Sequence, residues 1–348
     1  MNELDKSHVL IRLGSTNRRA GPEIIEGIKR LARNTFFDEL PCSEINTEAI
    51  DFRVASELFA ERARPLTEPK RKSLGLIVEH QGRNVPTQGA VLLFGKDRRR
   101  FFPDATLRCA RFAGVTKAEF LDQIEIDEYL PKAIESAIAF IERHTRQGVH
   151  IGRVNNHRVP EYPPLVLREA VINTIVHADY SIAGTGIQIA IFDDRLEITN
   201  PGFLPFGLTL EAALSGVSRL RNRVIGRVFR GLGLIEQWGS GIGRMIATCV
   251  QRGLNPPRFE ELGTNFRVTM YGERVAAPAI PPWRRQIVTY LKQEREISTK
   301  EAARLWRTSD RTARLRLRKL VQENVITEVR TGPRDPHKKY LLRRGVND

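Results

Sequence analysis

The amino-acid sequence predicts an α+β protein, with helices and strands mixed in the centre and a small helical unit at its end. Three observations carry this prediction. R-E-A-V-I-N-T-I-V-H-A-D-Y-S, residues 168–181, has apolar residues at three-to-four spacing, and two strand patterns follow it, I-Q-I-A-I-F and R-L-E-I-T-N. A-A-P-A-I-P-P, residues 276–282, reads as a stiff linker. Beyond it come three helical patterns and a hairpin, with 18 Lys or Arg against 8 Asp or Glu over 283–348. That stretch holds two-thirds of the net charge of +15, which points to a polyanion partner.

In chain order, H-V-L-I-R-L at 8–13 reads as a strand, and G-P-E-I-I-E-G-I-K-R-L-A-R starts a helix at its Gly-Pro. Residues 47–63 read as helical, with Ile50, Phe52, Leu58 and Phe59 apolar. P-T-Q-G-A-V-L-L-F-G reads as a buried strand closed by Gly95, and A-T-L-R-C-A-R-F-A-G as another. A helix is expected over 127–145, around Leu130, Ala133, Ala137 and Ile141. The tight D-D turn between the two strands after residue 186 marks a hairpin. A loop-rich span runs from N-P-G to about residue 238. Then G-S-G-I-G-R-M-I-A-T-C-V leads glycines into a helix, and N-F-R-V-T-M-Y-G is a strand. No internal repeat is visible.

With 348 residues, 41% of them hydrophobic and 28% charged, the chain can bury a sizeable core over two or three domains. No apolar run approaches a membrane span, and M-N-E-L-D-K-S-H lacks the apolar core of a signal peptide. Cys42, Cys109 and Cys249 stand apart and read as reduced core thiols, with no zinc spacing. A cytoplasmic location, without membrane contact, is expected.

Within 168–181, Glu169, Asn173 and His177 recur every four residues and so stack along one side of a helix. Each alone fits a solvated face. Together, with apolar residues on both flanks, they suit the wall of a cavity. A strand ending in N-P-G follows, and later G-S-G-I-G opens a helix, whose N–H groups and dipole favour phosphate. An acid, an amide, a polar strand end and a glycine-rich helix start can build a nucleotide pocket.

This order resembles the GHKL ATPases, whose fold is the Bergerat α/β sandwich. Glu169, Asn173 and Thr174 match the E-x-x-x-N motif and the small residue after it. The resemblance implies that Glu169 is the general base of ATP hydrolysis and that Asn173 holds Mg²⁺. Asn200-Pro201-Gly202 stands where the family has D-x-G-x-G, so Asn200 would meet adenine, with Leu204 in place of the second glycine. Gly239, Gly241 and Gly243 match the third motif. Residues 207–238 would form a lid from which Arg219, Arg221 and Asn222 reach phosphates. A closer resemblance, over roughly residues 70 to 270, is to a family of transcriptional regulators labelled RecG-related or helicase-like. It rests on R-E-A-V-I-N-T-I-V-H-A-D-Y-S, I-F-D-D-R-L-E-I-T-N-P-G, L-I-E-Q-W-G-S-G-I-G-R, P-T-Q-G-A-V-L-L-F-G-K and R-C-A-R-F-A-G. Members carry a Schlafen-type AlbA domain, of which only I-R-L-G-S-T-N-R-R-A is recognisable here. The helicase label is not matched by a phosphate loop: before Gly95-Lys96 the first glycine is replaced by Ala90, and Asp97 follows. G-S-G-I-G also lacks the Rossmann spacing.

In the basic end, Ser298 or Thr299 caps a second helix, with Glu301 near the capping-box position. The third helix, from D-R-T-A-R, buries Ala313, Leu317, Leu320 and Val321 and shows Arg311, Arg314 and Arg318 on another face. I-T-E-V-R and K-K-Y-L-L read as a two-stranded wing. The whole resembles a winged helix-turn-helix with Arg311, Arg314, Arg316, Arg318 and Lys319 facing DNA. A winged helix used for protein contacts is the alternative.

The expected organisation is therefore an AlbA remnant at 1–40 and a mixed α/β connecting region at 41–147. A GHKL ATP-binding domain follows at 148–275, then a linker at 276–282 and a winged helix-turn-helix at 283–348. The leading function is a transcriptional regulator of the RecG-related or helicase-like family that binds ATP, Mg²⁺ and duplex DNA, with its nucleotide state coupled to DNA binding and homodimerisation left open. An ATPase of DNA repair or phage defence, and a nucleotide-free GHKL scaffold, are the alternatives.

Overall fold

The computed structural model describes residues 10–13, 16–19, 21, 25, 27, 29–30, 35–145, 147–151, 156–205, 207–235, 240–272, 282–322, 325–329 and 338–343. The chain forms two compact units, one running to residue 275 and one over 276–348 together with 11–18. The linker expected at 276–282 lies outside the described residues except for Pro282, as does most of the helix expected from Gly21.

Strands β1 (Leu10–Leu13) and β2 (Thr16–Arg19) form a two-stranded sheet. The first unit contains helices α1 (Phe52–Ala60) and α2 (Glu68–Ser73), then the hairpin of β3 (Ile77–His80) and β4 (Arg83–Pro86). Helix α1 is shorter than the 47–63 pattern suggests. Thr47–Ala49 is a separate 3-10 turn, and Asp51 starts α1 by accepting the Val54 N–H. Helices α3 (Gln88–Phe94) and α4 (Arg98–Phe101) follow.

Helix α3 corrects the strand expected at 86–95. Thr87 caps it through a bond from the Ala90 N–H, and Gly89 to Phe94 are all buried. A continuous apolar run with buried neighbours on every side has no period by which helix and strand can be told apart.

The unit's sheet has six strands in the order β11-β12-β10-β9-β5-β6. These are β5 (Leu107–Phe112), β6 (Phe120–Ile126), β9 (Ile187–Ile191), β10 (Arg195–Pro201), β11 (Arg258–Leu262) and β12 (Asn265–Tyr271). A further pair, β7 (Gln147–Ile151) with β8 (Asn156–Pro160), is separate. All pairings in the large sheet are antiparallel except β5 with β9. Register places Cys109, Ile189, Ile198 and Val268 in one buried row across the sheet, as period-two alternation requires. The expected β9–β10 hairpin is present, with Ile191 opposite Leu196. The segment expected as a connecting region thus supplies β5 and β6 to the sheet that holds β9 and β10.

Helix α6 (Pro164–His177) packs on β10, flanked by α5 (Leu130–His144) and α9 (Gly241–Gln251). Along the chain, the short α7 (Leu210–Leu214) and α8 (Arg223–Gly231) lie between α6 and α9. Helix α8 was not expected in the loop-rich span. It joins the main core through Val224, Ile225, Val228 and Phe229.

The second unit contains α10 (Pro282–Glu294), β13 (Glu296–Ser298), α11 (Thr299–Leu305), α12 (Asp310–Gln322), β14 (Ile326–Val329) and β15 (Lys339–Leu342). The wing gains a third strand, since β13 pairs with β15 on the side away from β14. Ser298 and Glu301 form the expected capping box. Ile287, Leu291, Ala313, Leu317 and Leu320 lie in its core, and Trp306 donates to the Trp283 carbonyl at 2.7 Å. All three cysteines are buried and free. No helix among the described residues is long and apolar enough to cross a membrane.

Candidate functional site

Helix α6 is apolar around most of its circumference. Val166, Leu167, Ala170, Val171, Ile172, Ile175 and Val176 are all buried. A helix of that kind sits inside a domain. Its polar row is therefore not a solvated face: Glu169 is only 9% exposed, Thr174 is buried, and Asn173 and His177 are half-buried.

The start of α9 closes over this row. A Cβ on Gly241 would stand 2.6 Å from Glu169 Oε2 and 3.4 Å from Asn173 Nδ2. Any larger residue at 241 would have to push the Glu169 carboxylate aside. Glu169, Asn173 and the glycine-rich helix start are thus brought together. Arg244, one turn into α9, donates from Nη2 to Glu169 Oε1 at 2.7 Å. Gly243 faces open space, and Gly239 lies outside the described residues.

At the end of β10, Asn200 is buried and its amide donates to the Pro201 carbonyl at 3.0 Å. Gly202 has φ of +96°, and a Cβ there would lie 2.8 Å from that of Asp179. The turn demands glycine on both counts. Asp179 binds it from the far side, its N–H donating to the Pro201 carbonyl.

Arg221 and Asn222, expected at phosphates, have other work in this structure. Arg221 Nη1 pairs with Asp179 at 2.7 Å, and its Nη2 donates to the Phe203 carbonyl. The Asn222 amide donates to the Val176 and Ala178 carbonyls at 2.9 and 2.8 Å, satisfying the end of α6. Both brace the site from behind. Arg219 is exposed beside Gly207. His177, at the end of the polar row, has its pKa lowered to about 4 by burial and then by the charge of Arg221.

Three residues of this region escape sequence reasoning. Arg244 could have been found as a cation one turn after the glycines. Asp179 could have been found as an acid just past the helix. Asp38 carries no such signal. Its carboxylate accepts the N–H groups of Arg223, Val224 and Ile225 and so holds the N-terminus of α8. Burial raises its pKa to about 6 against those bonds.

The residues fit ATP with Mg²⁺ in two respects. The N-terminus of α9 packs directly on the acid and the amide of α6, and the oxygens of Glu169 and Asn173 suit a hard cation. Among the described residues no group of three or more His, Cys, Asp or Glu could hold a metal. Mg²⁺ bound chiefly by phosphates and waters needs no such group.

In the second unit, Arg311, Arg314, Arg318 and Lys319 are exposed on α12, and Leu315 is exposed among them. Arg316 departs from the expected set. Its guanidinium lies 5.4 Å and 5.6 Å from the ring centroids of Trp283 and Trp306. It packs on the unit's own aromatics, not on the face the other cations share.

Comparison with known proteins agrees with this division. Residues 184–270 match a family model described as "Putative ATP-dependent DNA helicase recG C-terminal", and residues 284–338 match the DeoR-like helix-turn-helix domain. The first match begins after α6, so it contains Asn200, Gly202 and the α9 glycines but not Glu169 or Asn173. No curated protein matches the chain. Among solved structures, the DIP2311 protein from Corynebacterium diphtheriae is similar in fold, with TM-score 0.58 and 20% identity, over 97% of this chain and 70% of that one. The chain therefore carries a RecG-C-terminal-like ATPase domain in its centre and a DeoR-like helix-turn-helix domain at its end.

Proposed function

We propose that the chain is an ATP-binding, DNA-binding transcriptional regulator, in which the nucleotide state of the first unit sets the affinity of the second for duplex DNA. The observation that carries the nucleotide half is the packing of Gly241 on Glu169 and Asn173, which sets an acid and an amide against a helix N-terminus. In this reading Asn173 faces Mg²⁺. The Asn200 carbonyl is the acceptor for an adenine amino group, and Arg219 and the N–H groups around Gly241 meet phosphate. Bound Mg²⁺ would offset the phosphate charge. If hydrolysis occurs, Glu169 takes the proton of the attacking water, and loss of such a base costs about 10²- to 10⁴-fold in rate. The DNA half rests on the four exposed cations of α12. In this reading the nucleotide domain is residues 148–275 together with β5 and β6, which complete its sheet, and the DNA unit is 283–348. Such a regulator works in the cytoplasm.

A nucleotide-free scaffold is favoured by one observation: Arg221 and Asn222 are already committed to protein partners. Calorimetry of the full chain with ATP and Mg²⁺ separates the two readings. Saturable binding, lost without Mg²⁺, is expected; no heat at millimolar nucleotide would leave the scaffold.

A further inference from the structure

We propose that Arg244 is the residue by which this site tells ATP from ADP, and that its bond to Glu169 is the resting state of that sensor. The inference rests on the nucleotide reading above and deepens it. Arg244 stands one turn into α9, on the helix whose first residue packs against Glu169 and Asn173. Its Nη2 holds Glu169 Oε1 at 2.7 Å, while Oε2 faces Gly241. The Glu169 side chain is 11% exposed and that of Arg244 35%. The acid is therefore fixed in place, and the guanidinium is the partner with access to incoming solute. A terminal phosphate reaching the α9 N-terminus brings more negative charge than one carboxylate, in a geometry a guanidinium can hold with two bonds. The guanidinium then turns from Glu169 to the phosphate. The same movement uncovers Oε1, the oxygen that must accept a proton from water. A diphosphate that ends one group short leaves Arg244 on Glu169. One side chain thus links recognition of the third phosphate to release of the base.

The pair has a second explanation, that Arg244 serves only to neutralise a buried carboxylate. The two differ once the carboxylate is removed. Full-length wild type, R244A, R244K, E169Q and the E169Q/R244A double variant are titrated calorimetrically with ATP·Mg²⁺ and with ADP·Mg²⁺, after thermal melts confirm folding. The expected result is that R244A weakens ATP by about 10- to 100-fold, the range of a missing charge-assisted bond, and ADP by less than about threefold. R244K recovers part of the difference. In the E169Q background, where no buried charge is left unpartnered, R244A still removes the preference for ATP. An ATP-to-ADP ratio that R244A leaves unchanged in both backgrounds overturns the inference and leaves the nucleotide site standing. Failure of the wild type to bind either nucleotide overturns both.

Discussion

Gly241 puts the site to its simplest test. The atom that a Cβ would meet at 2.6 Å is Glu169 Oε2, the tip of a side chain that can turn aside. Gly241→Ala should therefore cost about 1 kcal/mol of stability or less, below the usual penalty for overpacking. The displaced carboxylate, however, is held by Arg244 on its other oxygen, and a shift of roughly 1 Å in a reacting group can cost about 10²-fold. Urea melts should show near-normal stability, while ATP binding or turnover falls at least about tenfold. Normal binding in the variant would place the nucleotide elsewhere. His177 makes a separate prediction. Its folded pKa, about 4, lies below the ordinary 6.5, so the unfolded chain binds the extra proton between those values. Its contribution to stability is complete above about pH 6.5 and is lost as pH falls toward 4. At about 1.4 kcal/mol per unit the shift sets a ceiling of about 3.5 kcal/mol, which half-burial lowers to roughly 1–2. The difference in unfolding free energy between wild type and His177→Gln should shrink by that amount across the window. Asp38, whose raised pKa acts in the opposite sense over about 3.8 to 6, cancels in the comparison. The polar row itself was legible, because i, i+4 spacing on an apolar helix is a sequence property. The partners of that row were not: Arg244 and Gly241 lie some seventy residues away along the chain.

Helix α12 was legible nearly residue by residue, since a helix in a small unit buries one stripe and shows the rest. Ala313, Leu317 and Leu320 are inside, and Arg311, Arg314 and Arg318 are outside. Arg316 is the exception, because a tryptophan pair offers a guanidinium a better place than water. The two kinds of arginine should separate experimentally. Arg314→Ala with Arg318→Ala should weaken duplex binding and reduce the log–log salt slope by about 0.9 for each phosphate no longer neutralised. Arg316→Ala should leave the slope unchanged and lower the melting temperature, with about 0.5–2 kcal/mol at stake in the cation–π interactions. Fluorescence anisotropy over a salt series, beside a thermal melt, reads both. A slope that Arg316→Ala changes as much as the double variant would mean that Arg316 leaves the tryptophans for DNA. Helix α3 shows where such reading stops. Six buried residues in a row carry no period, and the strand preference of Val91 and Phe94 then misleads. The Thr87 cap was the available clue, and it is a local one.

At the level of the molecule, sequence reading found the α+β class and both functional units, because motif order and charge distribution survive without coordinates. It did not find that β5, from the segment before α5, lies parallel to β9 in the same sheet. Such pairing is decided by tertiary packing over eighty residues, and no local pattern announces it. The consequence reaches function. The sheet under α6 is completed by β5 and β6, so truncating the chain before residue 148 should strip away a large part of the core and unfold the nucleotide site. The proposed coupling must therefore be measured on the whole chain. If nucleotide state sets DNA affinity by a factor, linkage requires DNA to change nucleotide affinity by the same factor. Couplings of this kind are typically about 1–3 kcal/mol, or 5- to 150-fold. Anisotropy titrations of labelled duplex, with and without saturating ATP·Mg²⁺, give one side of the square. Calorimetric titrations of ATP·Mg²⁺ into free and DNA-saturated protein give the other. Both should shift by the same factor, and R244A should reduce both toward one if Arg244 reads the third phosphate. Two shifts that differ beyond error would expose competition of free nucleotide or magnesium with the DNA. Equal shifts of one would mean that the two units share a chain but not an equilibrium.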